Sequence, residues 1–216
     1  MSLGATIARE ARAGTDVEVL TVFGYVPGSP ATAGPWDTRS GYKTEGEACQ
    51  ARRDEDREAC RILGARPRWF DFGAEPYARN GAPEEIRGAV AAALTGADAA
   101  LLPGFPLLHP DHAELARLLL GAPLPCRIGL YAEQPYRFYE RKTLAPAMRA
   151  AALESHLTGP LAWTHQRAEP AERRLKRLAV RSYQSQLRPL GLGWIGLHRL
   201  LWHENRSGGE MIAWLS

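Results

Sequence analysis

Segments patterned like β-strands alternate along this chain with segments patterned like α-helices, and most of the connections are short. Residues 17–23 (VEVLTVF) are rich in β-branched side chains and predict a strand. Residues 68–72, 97–102 and 127–131 predict three more. Between them lie helical patterns. In residues 2–13, Leu3, Ile7 and Ala11 recur four apart and Gly14 stops the run. Residues 45–63 end at Gly64. Pro83 opens a helix that sets Ile86, Val90 and Leu94 on one face and closes at Gly96, and residues 111–120 predict another. The remainder reads as helical and basic, notably residues 169–187, with Trp194, Trp202 and Trp214 near the end.

Such alternation argues for a largely parallel sheet with helices on both faces. With right-handed crossovers it implies an α/β fold, a Rossmann-like three-layer α/β/α sandwich with a helical C-terminal part. All 216 residues are expected in one domain, with residues from about 140 onward as a helical cap rather than a second domain. The helical pattern at residues 2–13 has no strand pattern before it, and in this architecture a strand should feed that helix. If that strand belongs mid-sheet, two sheet edges are left unpaired. The loop at residues 24–43 is long for a connection, and long ordered loops are usually functional.

Composition narrows the partners. The formal net charge is only +3, and no long Lys/Arg block is interleaved with aromatics, so nucleic acid is not expected. Cys49, Cys60 and Cys126 are odd in number and form no C-x-x-C pair, which fits a reducing cytoplasm. No apolar run reaches the ~20 residues of a membrane span, and the start lacks a signal-peptide pattern. No G-x-G-x-x-G follows a strand, so a nucleotide-binding reading is weak.

Ligands of open α/β sheets bind beyond the carboxyl ends of the strands. The segment PGFPLLHPDH lies there and places His109, Asp111 and His112 at a helix start. Two imidazoles three residues apart can converge on one point, and a neighbouring carboxylate can orient a ring through its second nitrogen. The plain alternative is an N-cap at Asp111 with exposed histidines. Glu133 in YAEQPY falls at the same rim; a solvated loop carboxylate is its ordinary alternative. Arg52, Arg53 and Glu55 lie in RRDEDREACRILGA. That segment alone reads as a solvated helix with pairs such as Arg52–Asp56. KRLAVRSYQSQ reads as a polar helix packed through Leu178 and Tyr183.

Taken in order, these segments resemble the PIG-L/LmbE family of zinc-dependent N-acetylglucosaminyl deacetylases. The opening SLGATIAREARAGTDVEVLTVF resembles the family's first helix and second strand, and RRDEDREACRILGA its R-x-x-E helix. DFGAEPYAR, with Glu75 where Asp is common, resembles another segment. HPDH matches the second metal motif, YAEQPY a Y-x-E-x-P-Y segment, and KRLAVRSYQSQ a Y-x-S-Q helix. The similarity spans about residues 2–187.

The resemblance implies hydrolysis of an acetamide on an amino sugar in the cytoplasm. It implies a zinc ligand at His112, an oxyanion-stabilising or proton-transferring histidine at His109 and an orienting carboxylate at Asp111. Arg52, Glu75 and Glu133 become substrate contacts. The family's A-H-P-D-D-E motif supplies two zinc ligands and the general base, and it is not among these residues. Two of the usual three protein ligands for Zn2+ are therefore missing, and the expected activity of the chain as given is little or none. The alternative is a metal-free sugar-binding or regulatory protein on the same fold.

Overall fold

The structure, a computed structural model, describes residues 2–73, 77, 80–121, 123–136 and 161–215. These fold as an α/β protein and gather into two compact units. One comprises Met1–Leu3, Ala82–Arg167 and Glu204–Ser216, the other Gly4–Gly81 and Ala168–His203.

The second of these contains α1 (Gly4–Arg12), β1 (Glu18–Thr21), α2 (Pro35–Arg39), α3 (Glu45–Leu63) and β2 (Arg66–Trp69). Its later part adds α6 (Pro170–Ser182), α7 (Gln184–Leu187) and α8 (Trp194–Arg206) as far as His203. Both ends of α3 are set locally. Thr44 Oγ1 accepts from the Glu47 N–H at 3.2 Å, and the Glu47 carboxylate accepts from the N–H groups of Lys43 and Thr44. This reciprocal cap satisfies amides that a helix start leaves orphaned. Gly64 ends the helix at φ 78, a left-handed conformation that a side chain would disfavour.

Small residues let α1, α3 and α6 approach closely. Ala8, Ala59, Leu63 and Ala179 form a buried cluster, flanked by Ile7, Ile62, Leu175 and Tyr183. The expectation that Leu178 packs there does not hold; it faces solvent. β1 and β2 run parallel, Glu18 opposite Arg66 through Thr21 opposite Trp69.

The other unit holds α4 (Pro83–Ala93), β3 (Ala99–Phe105), α5 (Pro110–Leu120), β4 (Arg127–Ala132), β5 (Thr164–Gln166) and β6 (Glu210–Trp214). The strands form one sheet in the order β3-β4-β6-β5. β3 and β4 are parallel; β6 is antiparallel to both β4 and β5. From residue 161 on, the described C-terminal residues are largely helical, as the pattern implies, and include two short strands that the pattern did not signal; residues 137–160 lie outside the described residues. Leu102, Leu130, Ala132, Ile212 and Ala213 are buried in the sheet, with Ile86 and Val90 of α4 and Ala116 and Leu119 of α5. β3 extends three residues beyond its predicted end, through Gly104. A Cβ on Gly104 would stand 2.5 Å from the Leu130 Cβ, so glycine is what lets β3 and β4 close where their register shifts.

Ala8 is fully buried among α1, α3 and α6. Ala8→Leu should overpack that contact and lower unfolding stability by about 1–3 kcal/mol, read as a lower urea midpoint. An unchanged midpoint would contradict the close packing.

Candidate functional site

The turn between β3 and α5 holds the histidines. His109, not Asp111, is the N-cap of α5: its Nδ1 accepts from the Asp111 N–H at 3.3 Å, and Pro110 takes the first helical position. The Asp111 carboxylate stands 3.7 Å from the same nitrogen, in ion-pair range but beyond a hydrogen bond. One turn further along, His112 lies beside His109 with ring centroids 5.0 Å apart. Both side chains are partly exposed, at 43% and 40%.

Glu133 follows β4 at the expected rim, but it is not a solvated loop acid. It is buried, 1% exposed. One carboxylate oxygen bonds the His112 Nδ1, and the other accepts from the Leu107 N–H at 2.7 Å. The Glu133 N–H donates to the Phe105 carbonyl at 2.5 Å, tying the end of β4 to the end of β3. Leu107 holds φ 56, which is strained for a branched side chain. That turn aims its N–H at the carboxylate. Both carboxylate oxygens of Glu133, expected as a substrate contact, have partners within the protein.

These bonds set the rings apart electronically. A neutral His112 donating Nδ1–H to Glu133 carries its lone pair on Nε2. A neutral His109 accepting at Nδ1 carries its proton on Nε2. In these tautomers the His112 Nε2 is an acceptor and the His109 Nε2 a donor.

The other unit has its own buried acids. Asp37 of α2 is 2% exposed and accepts from the Arg52 guanidinium and the Tyr77 hydroxyl. Tyr77 in turn accepts from the Gly34 N–H at 3.1 Å. Burial, then the bond to Asp37, pushes the Tyr77 phenol up to about 12. Arg52 pairs with Asp37 rather than with Asp56 as expected. Asp56 accepts instead from Thr21 Oγ1 and the Trp69 indole N–H. Glu55, also buried, accepts from the Ser185 N–H at 2.7 Å and the Ser185 hydroxyl at 2.5 Å. Sequence reading missed Asp37 and Tyr77; only the unusual length of the loop at residues 24–43 pointed toward the first. Glu75 lies outside the described residues.

Zinc takes three or four protein ligands. Among the described residues, no three His, Cys, Asp or Glu side chains converge on one point. His112 Nε2 fits one corner of such a site and does not complete it.

No protein-family model matches the chain, and no curated protein matches it. Solved structures do. The A40926 pseudoaglycone deacetylase Dbv21 superposes with TM-score 0.78 at 24% identity, over 99% of this chain and 90% of its own. The zinc-inhibited form of the teicoplanin deacetylase Orf2 gives 0.74 at 20%, over 99% and 91%. The chain has the PIG-L/LmbE deacetylase fold. N,N'-diacetylchitobiose deacetylase from Pyrococcus horikoshii shares it at TM-score 0.54 and 17% identity, over 98% and 78%. So does the 4-carboxy-2-hydroxymuconate hydratase GalB of Pseudomonas putida, at 0.55 and 18%, over 98% and 88%. This fold thus carries more than one chemistry, and the reaction has to be argued from the site.

Burial raises the Glu55 carboxyl above its ordinary 4.5, against the opposing bonds from Ser185. A raised folded-state value means a stability contribution complete below about pH 4.5 and lost as the pH climbs through the raised value. Glu55→Gln cannot ionise. Its stability measured by urea unfolding should therefore fall less than the parent's from pH 4.5 upward; parallel profiles would contradict the assignment.

Proposed function

We propose that this chain is an amide hydrolase of the deacetylase type, acting on an N-acetylated amino sugar or a conjugate of one. The observation that carries the reading is the pair of adjacent, partly exposed histidines at the start of α5, one oriented through its Nδ1 by Glu133 and the other by the Asp111 N–H. The ordered motifs and the deacetylase neighbours support the substrate class.

In this reading His112 offers its Nε2 to Zn2+. Zinc, when bound, polarises an amide carbonyl and acidifies a water. His109 presents Nε2–H to the carbonyl oxygen as that oxygen gains negative charge, and such a preorganised donor is typically worth about 10² to 10³ in rate. The Asp111 carboxylate favours a proton on His109 during transfer. Glu133 keeps His112 in the tautomer that leaves Nε2 bare. Arg52, steadied by Asp37, and Glu75 are assigned to substrate binding. A cytoplasmic location belongs to the same proposal; among the described residues no helix is long and apolar enough to cross a membrane.

One observation favours a second reading. Among the described residues a single nitrogen fits a zinc corner, and the fold could bind a sugar without metal or turnover. Acetate release and zinc content separate the two. The 216-residue chain is expected to release little or no acetate from N-acetylglucosaminides, with or without zinc. A chain carrying an H-P-D-D-E segment ahead of Ser2 should bind about one zinc and release acetate. His112→Ala in that chain should lower the rate at least about 10²-fold. Robust release by the 216-residue chain, or an unchanged rate in the variant, would contradict the assignment. Sugar binding with no zinc and no release in either chain would favour the second reading.

A further inference from the structure

α3 carries four arginines, and one is unlike the rest. Arg53, Arg57 and Arg61 pair with Asp71, Asp54 and Glu58, acids that are 77%, 57% and 47% exposed. Solvated pairs of this kind hold a guanidinium only weakly. Arg52 pairs with Asp37, which is 2% exposed, while the Arg52 side chain itself stays 33% exposed. Whatever holds Asp37 therefore also decides where the Arg52 guanidinium points.

Asp37 belongs to a closed ring of bonds within one unit. It lies one turn before Ser40, the C-cap of α2, whose N–H donates to the Asp37 carbonyl at 3.0 Å. The Ser40 hydroxyl donates to the Ser185 carbonyl at 2.9 Å, and the Arg188 guanidinium donates to the Ser40 carbonyl at 3.0 Å. Ser185, fully buried in α7, returns the ring to α3, because its N–H and hydroxyl both donate to Glu55. Glu55 and Arg52 are one helical turn apart, so their side chains leave the same face of α3. Asp37, Ser40, Glu55 and Ser185 are all buried; Arg52 and Arg188 are the members that reach solvent. A bonded polar ring fixes one arrangement where apolar contacts would allow several. This one ends on a guanidinium that gives one Nη to Asp37 and has further N–H groups to donate.

We propose that Ser40, Ser185 and Arg188 are positioning residues for Arg52. They tie α2 to α7 and α7 to α3, and so hold Asp37 where it fixes the Arg52 guanidinium as a preset donor to the oxygens of a sugar. The use of that donor for substrate rests on the deacetylase reading above; the positioning does not.

Nitrogen-15 NMR of the guanidinium groups in the full chain tests the positioning without a ligand. The Arg52 signals are assigned by their loss in Arg52→Lys. A held guanidinium gives two separate Nη signals, and a freely turning one gives a single averaged signal. The parent should show two for Arg52. Ser40→Ala with Arg188→Ala removes both bonds between Ser40 and the α7 region and should speed the turning by about tenfold. Ser40→Thr with Arg188→Lys keeps a donor at each position and should restore separate signals. Ala8→Leu, which strains the same unit outside the ring, should leave the Arg52 signals as they are. One averaged Arg52 signal in the parent, signals unmoved by loss of both bonds, or signals moved as far by Ala8→Leu would overturn the proposal. If the double variant does not fold, Arg188→Ala alone decides: its side chain is exposed, and it should still speed the turning measurably. Titration with N-acetylglucosamine tests the other claim separately. Unchanged affinity in Arg52→Ala would overturn the substrate assignment of Arg52 and leave its positioning standing.

Discussion

The candidate site depends on one buried carboxylate. Glu133 stands at the end of β4, closed off from water, with one oxygen on the His112 ring and the other on a backbone N–H of the turn that leads to α5. A carboxylate desolvated this far is tolerable only when its oxygens are bonded. Each of its partners is thereby fixed as well. Leu107 is held in a left-handed conformation, and His112 is held in one orientation. Without that carboxylate, HPDH would be a capped helix start with two solvated rings. With it, the two rings become a donor and an acceptor side by side.

The other unit repeats the device with different chemistry. Asp37 is buried and holds Arg52 and Tyr77, and Glu55 is buried and holds α7 at Ser185. Asp37 and Glu133 each fix a side chain that keeps some exposure, Arg52 and His112, whereas the Ser185 held by Glu55 is itself fully buried. Removing one partner of such a pair strands a desolvated charge and is costly. The functional reading thus rests on where acids are buried more than on which residue types line a surface.

Much of the fold was legible in the sequence, because its signals are local. Thr44, Glu47 and Gly64 mark the two ends of α3 within the chain itself, and the observed helix has the predicted bounds. The segments of three to five residues that became β5 and β6 are too short to show a period, and only pairing in the sheet makes them strands. The same limit applies to the site. HPDH announced its histidines by spacing. The burial of Glu133, 21 residues away from His112, and of Asp37, 15 residues from Arg52, comes from tertiary packing, which no short-range pattern reports.

A shared fold leaves the reaction open, since deacetylases and a hydratase occupy it. The functional reading turns on which nitrogen of each ring carries the proton. Nitrogen-15 NMR of the histidines at about pH 8, where a free imidazole is neutral, measures that pattern directly. The account predicts that His112 carries its proton on Nδ1 with Nε2 bare. A proton on Nε2 with Nδ1 bare would contradict it, because the Glu133 oxygen beside His112 would then have no N–H to accept from.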